Sequence, residues 1–400
     1  MFYELLLGIG LGIVGGTITG LIPGIHVNLI TILVLSYVSS LLSWFSVFTI
    51  GCFIISLSVT HTFLDVLPAI YLGMPDSATA LGVLPGHRYL LKGWGYMAVK
   101  LTLIGSFFGL IFGVLLIPLL ILVVKLSYPI LKSLMVIILL SVFVFMVIKD
   151  RKKGWSIFVF ILSGVLGWLV LNTYNLKYPL FPLLTGIFGV STLLFSIRST
   201  STIPEQLISS EIKLKHKVVI KSLFAAVLAG FLTSMLPGIG SSQGVVIGKE
   251  FARNAGDHGF MVILGGVNTV NFVLSLVTLF VLSKARNGAV VAVQELIGQI
   301  GLNQLLAFIA VALIVGGVGV GLTLFLGRVF SGIISRVNYR GLVFSVVLFI
   351  IVLTPFVSGF KGLLILFTAT VLGLIPAIVK CSRTHAMGCL MIPVMLWFLV

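Results

Sequence analysis

Gly20-Leu21-Ile22-Pro23-Gly24-Ile25-His26-Val27-Asn28 returns 214 residues later as Ser234-Met235-Leu236-Pro237-Gly238-Ile239-Gly240-Ser241-Ser242. Each copy closes a glycine-bearing apolar segment and opens another apolar stretch. Proline has no N–H to donate and its ring clashes with the preceding turn, while glycine admits the φ values that reverse a chain. A helix is therefore expected to stop and restart at Pro23-Gly24 and again at Pro237-Gly238. Broken backbone at membrane depth must be buried in protein or line a wet cavity, because lipid satisfies no hydrogen bond. The restarting helix turns free N–H groups and a positive dipole end inward, which suits anionic oxygens. The substrate-binding candidates are thus Pro23, Gly24, His26 and Asn28 in one copy. In the other they are Pro237, Gly238, Gly240, Ser241, Ser242 and Gln243. The plainer alternative is that Pro-Gly only kinks two helices.

Composition puts these segments in a membrane. Of 400 residues, 59% are hydrophobic and 8% charged, against about 25% charged in a soluble domain. Mean hydropathy is +1.28. A water-soluble enzyme is excluded. Apolar segments read near 5–22, 26–42, 46–73, 98–125, 128–148, 155–171 and 178–196, then 218–236, 239–252, 258–283, 303–325, 341–359, 361–380 and 384–400. Counting the short and broken ones as half-segments leaves roughly 10–12 crossings. The N-terminus, Met-Phe-Tyr-Glu, lacks the basic region of a signal peptide.

The balance of 25 Lys+Arg against 9 Asp+Glu, a net +16, suits loops that meet an anionic leaflet, with no nucleic-acid partner implied. No Lys or Arg precedes Arg88. Basic groups then gather at Arg88, Lys92 and Lys100, at Lys149 to Lys153, and at Arg198 to Lys221. Two crossings separate each group from the next, so all share one face, the cytoplasmic one. The N-terminus and C-terminus are then outside. The polar stretch 197–217 becomes a cytoplasmic linker between a first half, 1–196, and a second, 218–400, in the plasma (inner) membrane. Cys52, Cys381 and Cys389 form no CxxC pair and read as buried thiols, with no metal site and no cofactor.

A second correspondence follows the first. Val59-Thr60-His61-Thr62-Phe63 resembles Val267-Asn268-Thr269-Val270-Asn271, 208 residues on, and Asp76-Ser77-Ala78-Thr79-Ala80 corresponds to Arg286-Asn287-Gly288-Ala289-Val290. One half starts outside and the other inside, so the expected fold is an all-α polytopic membrane protein of two inverted-topology repeats with Pro-Gly-broken or re-entrant helices. That is the plan of secondary transporters, with substrate held where the repeats meet.

Charges within a bilayer are costly and face a cavity or a partner. Asp65 follows His61 by four residues on one helical face. With Thr62 it is a candidate for Na+ or H+ coupling; a buried His–Asp tie between helices is the alternative. Asp76 reads as a coupling residue or an N-cap, and Thr79 as a hydroxyl donor to substrate. Asn268, Thr269 and Asn271 lie at the equivalent depth without a carboxylate and suit cation coordination, or interhelical hydrogen bonding. Lys249, Glu250, Arg253, Asp257 and His258 read as a cytoplasmic turn with local pairing. The glycine run 315–321 reads as close helix packing, since no P-loop lysine accompanies it.

Further residues carry a family likeness: Gly73-Met74-Pro75-Asp76-Ser77-Ala78-Thr79, Pro85-Gly86-His87-Arg88 and Gly93-Trp94-Gly95-Tyr96-Met97-Ala98, together with the paired Pro-Gly motifs. In these the chain resembles the TctA-type membrane permease of tripartite tricarboxylate transporters, across roughly 1–125 and 218–330, departing from its pattern at His26 and Asp76. The resemblance implies an inner-membrane permease for organic anions driven by an ion gradient, either as a stand-alone, divergent branch or with an extracytoplasmic binding protein and a small membrane subunit as partners. The function expected is alternating-access transport of a small organic anion, a carboxylate, coupled to Na+ or H+. The alternative is translocation of an anionic lipid such as a polyprenyl phosphate. An intramembrane enzyme fits less well, because Asp65 and Asp76 share one broken segment and no HExxH stands in the chain.

Overall fold

A computed structural model describes residues 2–22, 27–72, 83–176, 178–196, 203–208, 215–236, 240–285, 287–336 and 338–399. Before the linker run α1 (Phe2–Leu21), α2 (Val27–Ser36), α3 (Val38–Leu41), α4 (Val47–Leu64), α5 (Val83–Leu91), α6 (Gly95–Leu115), α7 (Ile117–Ser133), α8 (Met135–Lys149), α9 (Lys153–Leu171), α10 (Leu180–Leu184) and α11 (Ser191–Ser196). After it come α12 (His216–Met235), α13 (Ser241–Phe251), α14 (Gly256–Leu282), α15 (Gly288–Ile297), α16 (Leu302–Ile333), α17 (Tyr339–Ser358), α18 (Phe360–Val379) and α19 (Gly388–Leu399). The described residues contain no strand. Eight helical runs among them are long and apolar enough to cross a membrane, and shorter apolar helices such as Val136–Lys149 and Val343–Ser358 lie between them. The chain is an all-α polytopic membrane protein.

The eight runs form four pairs. The first residues of α1 and α12 lie 214 positions apart, those of α4 and α14 209, those of α6 and α16 207, and those of α9 and α18 207. Packing partners are exchanged reciprocally. Helix α6 packs on α14 while α16 packs on α4, and α9 packs on α19 while α18 packs on the π-helical turn Thr185–Val190 between α10 and α11. The α6–α14 contact is backbone to backbone. A Cβ on Gly105 of α6 would fall 1.9 Å from the Val262 carbonyl, and one on Gly265 of α14 would fall 2.1 Å from that of Thr102. No side chain fits there, which is the small-residue mode of helix association in membranes.

Local chemistry sets the boundaries. Ser46 caps α4 by accepting from the Thr49 N–H at 3.2 Å, and Asn287 caps α15 by accepting from that of Ala289 at 3.0 Å. The apolar segment expected as one span over 98–125 is instead split at Leu116, between α6 and α7. Pro118 explains this, since its ring opposes the carbonyl four residues back. The run expected over 46–73 is continuous from Val47 to Leu72, but Asp65 interrupts its regular winding and Pro68–Leu72 continue as a π-helical turn. Pro68 has no N–H to return to the Leu64 carbonyl. Such widened turns occur often at functional sites.

Burial locates the centre of the molecule. Over an 18-residue apolar stretch, the runs Val47–Leu72 and Gly256–Leu282 have 83% and 89% of their residues buried, more than any other crossing helix. They are partners in one of the four pairs. The glycine run of α16 packs as its composition implies, Gly316 against Leu110 and Gly319 against Phe63, while Gly317 and Gly321 face open space. Cys52, Cys381 and Cys389 are buried free thiols.

Candidate functional site

The two polar segments matched in the sequence meet face to face. On α14, Asn268 donates from Nδ2 to Asp65 Oδ2 at 2.7 Å, at the end of α4. One residue on, the Thr269 hydroxyl donates to Thr62 Oγ1 at 3.3 Å. Asn271, a turn further along the face of Asn268, donates from Nδ2 to Ser241 Oγ at 3.0 Å. Ser241 is the first residue of α13, and Gly240 precedes that helix. The α14 face thus bridges the broken turn of α4 to the start of the helix that follows the second Pro-Gly.

The end of α1, which precedes the first Pro-Gly, arrives at the same place. Glycines at 8, 12, 16 and 20 let α1 lie against α4, and a Cβ on Gly16 would sit 2.4 Å from the Leu57 carbonyl. This close approach brings Gly20 against Leu64 and the Asp65 N–H, and puts Thr19 Oγ1 3.1 Å from His61 Nδ1. After the gap, Asn28 on α2 lies against Gly288 in the first turn of α15. Thus His61, Thr62, Asp65, Asn268, Thr269, Asn271, Ser241, Ser242 and Gln243 belong to one neighbourhood around α4, α13 and α14, and Asn28 stands at the α2–α15 contact. Pro23, Gly24, His26, Asp76, Thr79, Pro237 and Gly238 lie outside the described residues.

Electrostatics single out one side chain. Asp65 is 3% exposed and is the only buried Asp, Glu, Lys or Arg among the described residues. Among the described residues Asn268 donates to it, and the hydrogen-bonded Thr62 and Thr269 hydroxyls belong to the same helix–helix contact. A buried carboxylate among oxygen-bearing side chains suits a small hard cation or a proton. A few residues away, α13 turns its N-terminus inward. Gln243, 1% exposed, uses Oε1 to accept from the Gly240 N–H at 2.9 Å, while its Nε2 has no hydrogen-bond partner among the described residues. A donor buried without a partner costs about 1–3 kcal/mol, so an anionic oxygen at this helix end would relieve it. Among the described residues no group of three or more His, Cys, Asp or Glu is arranged to hold a metal ion.

Sequence reading missed two members of this neighbourhood. Thr19 sits in an apolar helix with nothing to mark it beyond its place ahead of the hinge. Thr323 of α16 donates to the Phe63 carbonyl at 3.2 Å, two residues before Asp65. Neither has a motif. The turn at 249–258, expected to pair locally, is tied mainly to other elements. Glu250 accepts from Lys149 at 2.8 Å and lies 3.7 Å from Arg253, Asp257 accepts from Arg88 at 3.1 Å, and His258 Nδ1 bonds the Tyr89 hydroxyl. Helices close in space but distant in sequence supply those partners.

Comparison with known proteins identifies a family. The model of the tripartite tricarboxylate transporter TctA family matches residues 6–388. An uncharacterized protein of Methanocaldococcus jannaschii is similar throughout, 30% identical over 97% of this chain and 98% of its own length. No solved structure matches the chain at a significant level. With its apolar helices, its paired elements and a family match spanning nearly every residue, the chain belongs to the tripartite tricarboxylate transporter TctA family, the membrane component of a tripartite transport system.

Proposed function

We propose that this chain is a secondary transporter that moves a small organic anion, a carboxylate, by alternating access coupled to Na+ or H+. The observation that carries the reading is the contact between Asp65 and Asn268. It joins the two most buried crossing helices through the one buried carboxylate among the described residues, next to the start of α13. In this reading Asp65, His61, Thr62, Asp76, Asn268, Thr269 and Asn271 handle the coupling ion. The helix starts that follow Pro23-Gly24 and Pro237-Gly238 receive the anion, assisted by His26, Asn28, Thr79, Gly240, Ser241, Ser242 and Gln243. The two charges are then bound within reach of one another, and the favourable pairing of cation and anion supplies the coupling.

The reciprocal packing of α6 on α14 and α16 on α4 supports two repeats, 1–196 and 218–400, of inverted topology about the cytoplasmic linker 197–217. The N-terminus is then outside and the protein lies in the plasma membrane. An extracytoplasmic binding protein and a small membrane subunit complete the system as partners. The test is uptake of radiolabelled di- and tricarboxylates by proteoliposomes under imposed Na+ or H+ gradients. Gradient-dependent accumulation is expected. No accumulation of any carboxylate with either gradient and with binding protein supplied removes the proposal, and flipping of a polyprenyl phosphate in the same vesicles would replace it.

A further inference from the structure

Away from the Asp65 neighbourhood, three of the crossing helices begin around a single pocket. Trp94, Lys215 and Ala255 directly precede α6, α12 and α14, and none of the three gives its helix a side-chain cap. All three line one pocket of about 380 Å³. The other walls include Arg88, Lys92, Tyr89, Asp257 and His258. Three permanent cations therefore face one carboxylate. Arg88 already meets that carboxylate, at 3.1 Å from Asp257 Oδ1. Lys92 and Lys215 make no ion pair among the described residues; the Lys92 ammonium rests 5.6 Å from the centre of the Trp94 ring. The bond between Tyr89 and His258 Nδ1 ties α5 to α14 and leaves His258 Nε2 for another partner.

We propose that this pocket binds the phosphate of an anionic phospholipid headgroup. At α6 the Gly95 N–H already donates to Gln206 Oε1 at 2.9 Å, so the starts of α12 and α14, with two lysines that make no ion pair among the described residues, provide the backbone N–H and ammonium donors that phosphate oxygens accept best. The volume lies within the range of small-ligand sites, about 300–1,000 Å³, and accommodates a glycerophosphate. Depth selects a lipid over a soluble anion. The pocket sits at the level where three membrane-crossing helices begin, and it presents Trp94, 38% exposed, as aromatic side chains do at headgroup level. Basic pockets between helices on one face of a membrane protein are recognised in this way by anionic lipids. The inference does not depend on which anion the protein transports.

The experiment is native mass spectrometry of the purified full-length protein in detergent, titrated with phosphatidylglycerol, with phosphatidylcholine, and with inorganic phosphate. Wild-type protein is expected to retain one phosphatidylglycerol per chain in preference to phosphatidylcholine. Lys92→Gln and Lys215→Gln, which break no ion pair among the described residues, should each weaken that binding about five-fold, and the double variant about 25-fold. Asp257→Asn removes the opposing charge and should tighten it about five-fold, an increase that misfolding cannot produce. Unchanged phosphatidylglycerol affinity in the lysine double variant overturns the proposal. Inorganic phosphate binding as tightly as the lipid overturns the lipid assignment and leaves a soluble-anion site.

Discussion

Replacing Asn268 with alanine removes the donor that lies 2.7 Å from Asp65 Oδ2 in a site from which solvent is nearly excluded. A hydrogen bond to a charged group contributes about 1.5–3 kcal/mol, so cation binding that relies on this contact should weaken by about 10- to 150-fold. Asp65→Asn is the informative companion. It keeps the volume and a carbonyl oxygen able to accept from Asn268, but removes the charge. If Asp65 carries the coupling ion, Asp65→Asn abolishes gradient-driven uptake while leaving carboxylate exchange across the vesicle membrane intact, because exchange needs no net ion movement. Asn268→Ala should weaken the dependence on the coupling ion by the factor above. Combining the two changes should cost far less than their sum, since the second removes a partner already lost. The assay is counterflow and gradient-driven uptake in parallel on one batch of proteoliposomes. Wild-type gradient-driven uptake in Asp65→Asn would refute the coupling role and leave the pair as a helix–helix tie.

Gln243→Glu keeps the oxygen that accepts from the Gly240 N–H but exchanges the unpartnered Nε2 for a second oxygen. The KM for a carboxylate substrate should rise at least about ten-fold, the loss expected for one donor to a charged group, and an unchanged KM would take the start of α13 out of the substrate site. Gly105→Val drives a side chain into the Val262 carbonyl and should destabilise the fold by about 1–3 kcal/mol or more, whereas Gly317→Val, facing open space, should leave the melting temperature in detergent close to wild type. At the turn between α8 and α9, burial alone would raise the Asp150 carboxyl, but the N–H groups of Lys152 and Ser382 and the His385 ring outweigh it and hold it below the ordinary 3.8. Its contribution to stability is therefore complete above that value and is lost as pH falls through the lower, folded one. Asp150→Asn should lower the melting temperature at neutral pH but not in strong acid, and an equal drop at both would remove the carboxylate from the account.

Much of this architecture was legible because membrane helices advertise themselves by length and apolarity. The match between Val59–Phe63 and Val267–Asn271 also picked out two segments that the structure brings into contact through Thr62 and Thr269. Spacing along the chain carries that kind of information, since repeated elements recur at nearly constant intervals. The split at Leu116 was less legible, because one proline near the middle of a long apolar run does not announce whether it bends a helix or ends one. Thr19 and Thr323 were invisible for a different reason. A threonine in an apolar helix satisfies itself on its own backbone as readily as it reaches a neighbour, so only the packed structure distinguishes the two. The partners of Glu250, Asp257 and His258 come from α8 and α5, and pairwise charge contacts across a bundle leave no pattern in local sequence.

The exchange of partners between α6 and α16 has a consequence for how such a chain can be divided. The most buried run of each half is covered partly from its own half, α1 on α4 and α12 on α14, and partly from the other, α16 on α4 and α6 on α14, so a half made alone would leave one seam of that run open to lipid. Cut within 197–217, the two fragments should be worthless singly and competent when synthesised together. If the two halves are the proposed inverted repeats, a half-length forebear would have needed a second copy of itself, inserted the opposite way up, before it could close around anything.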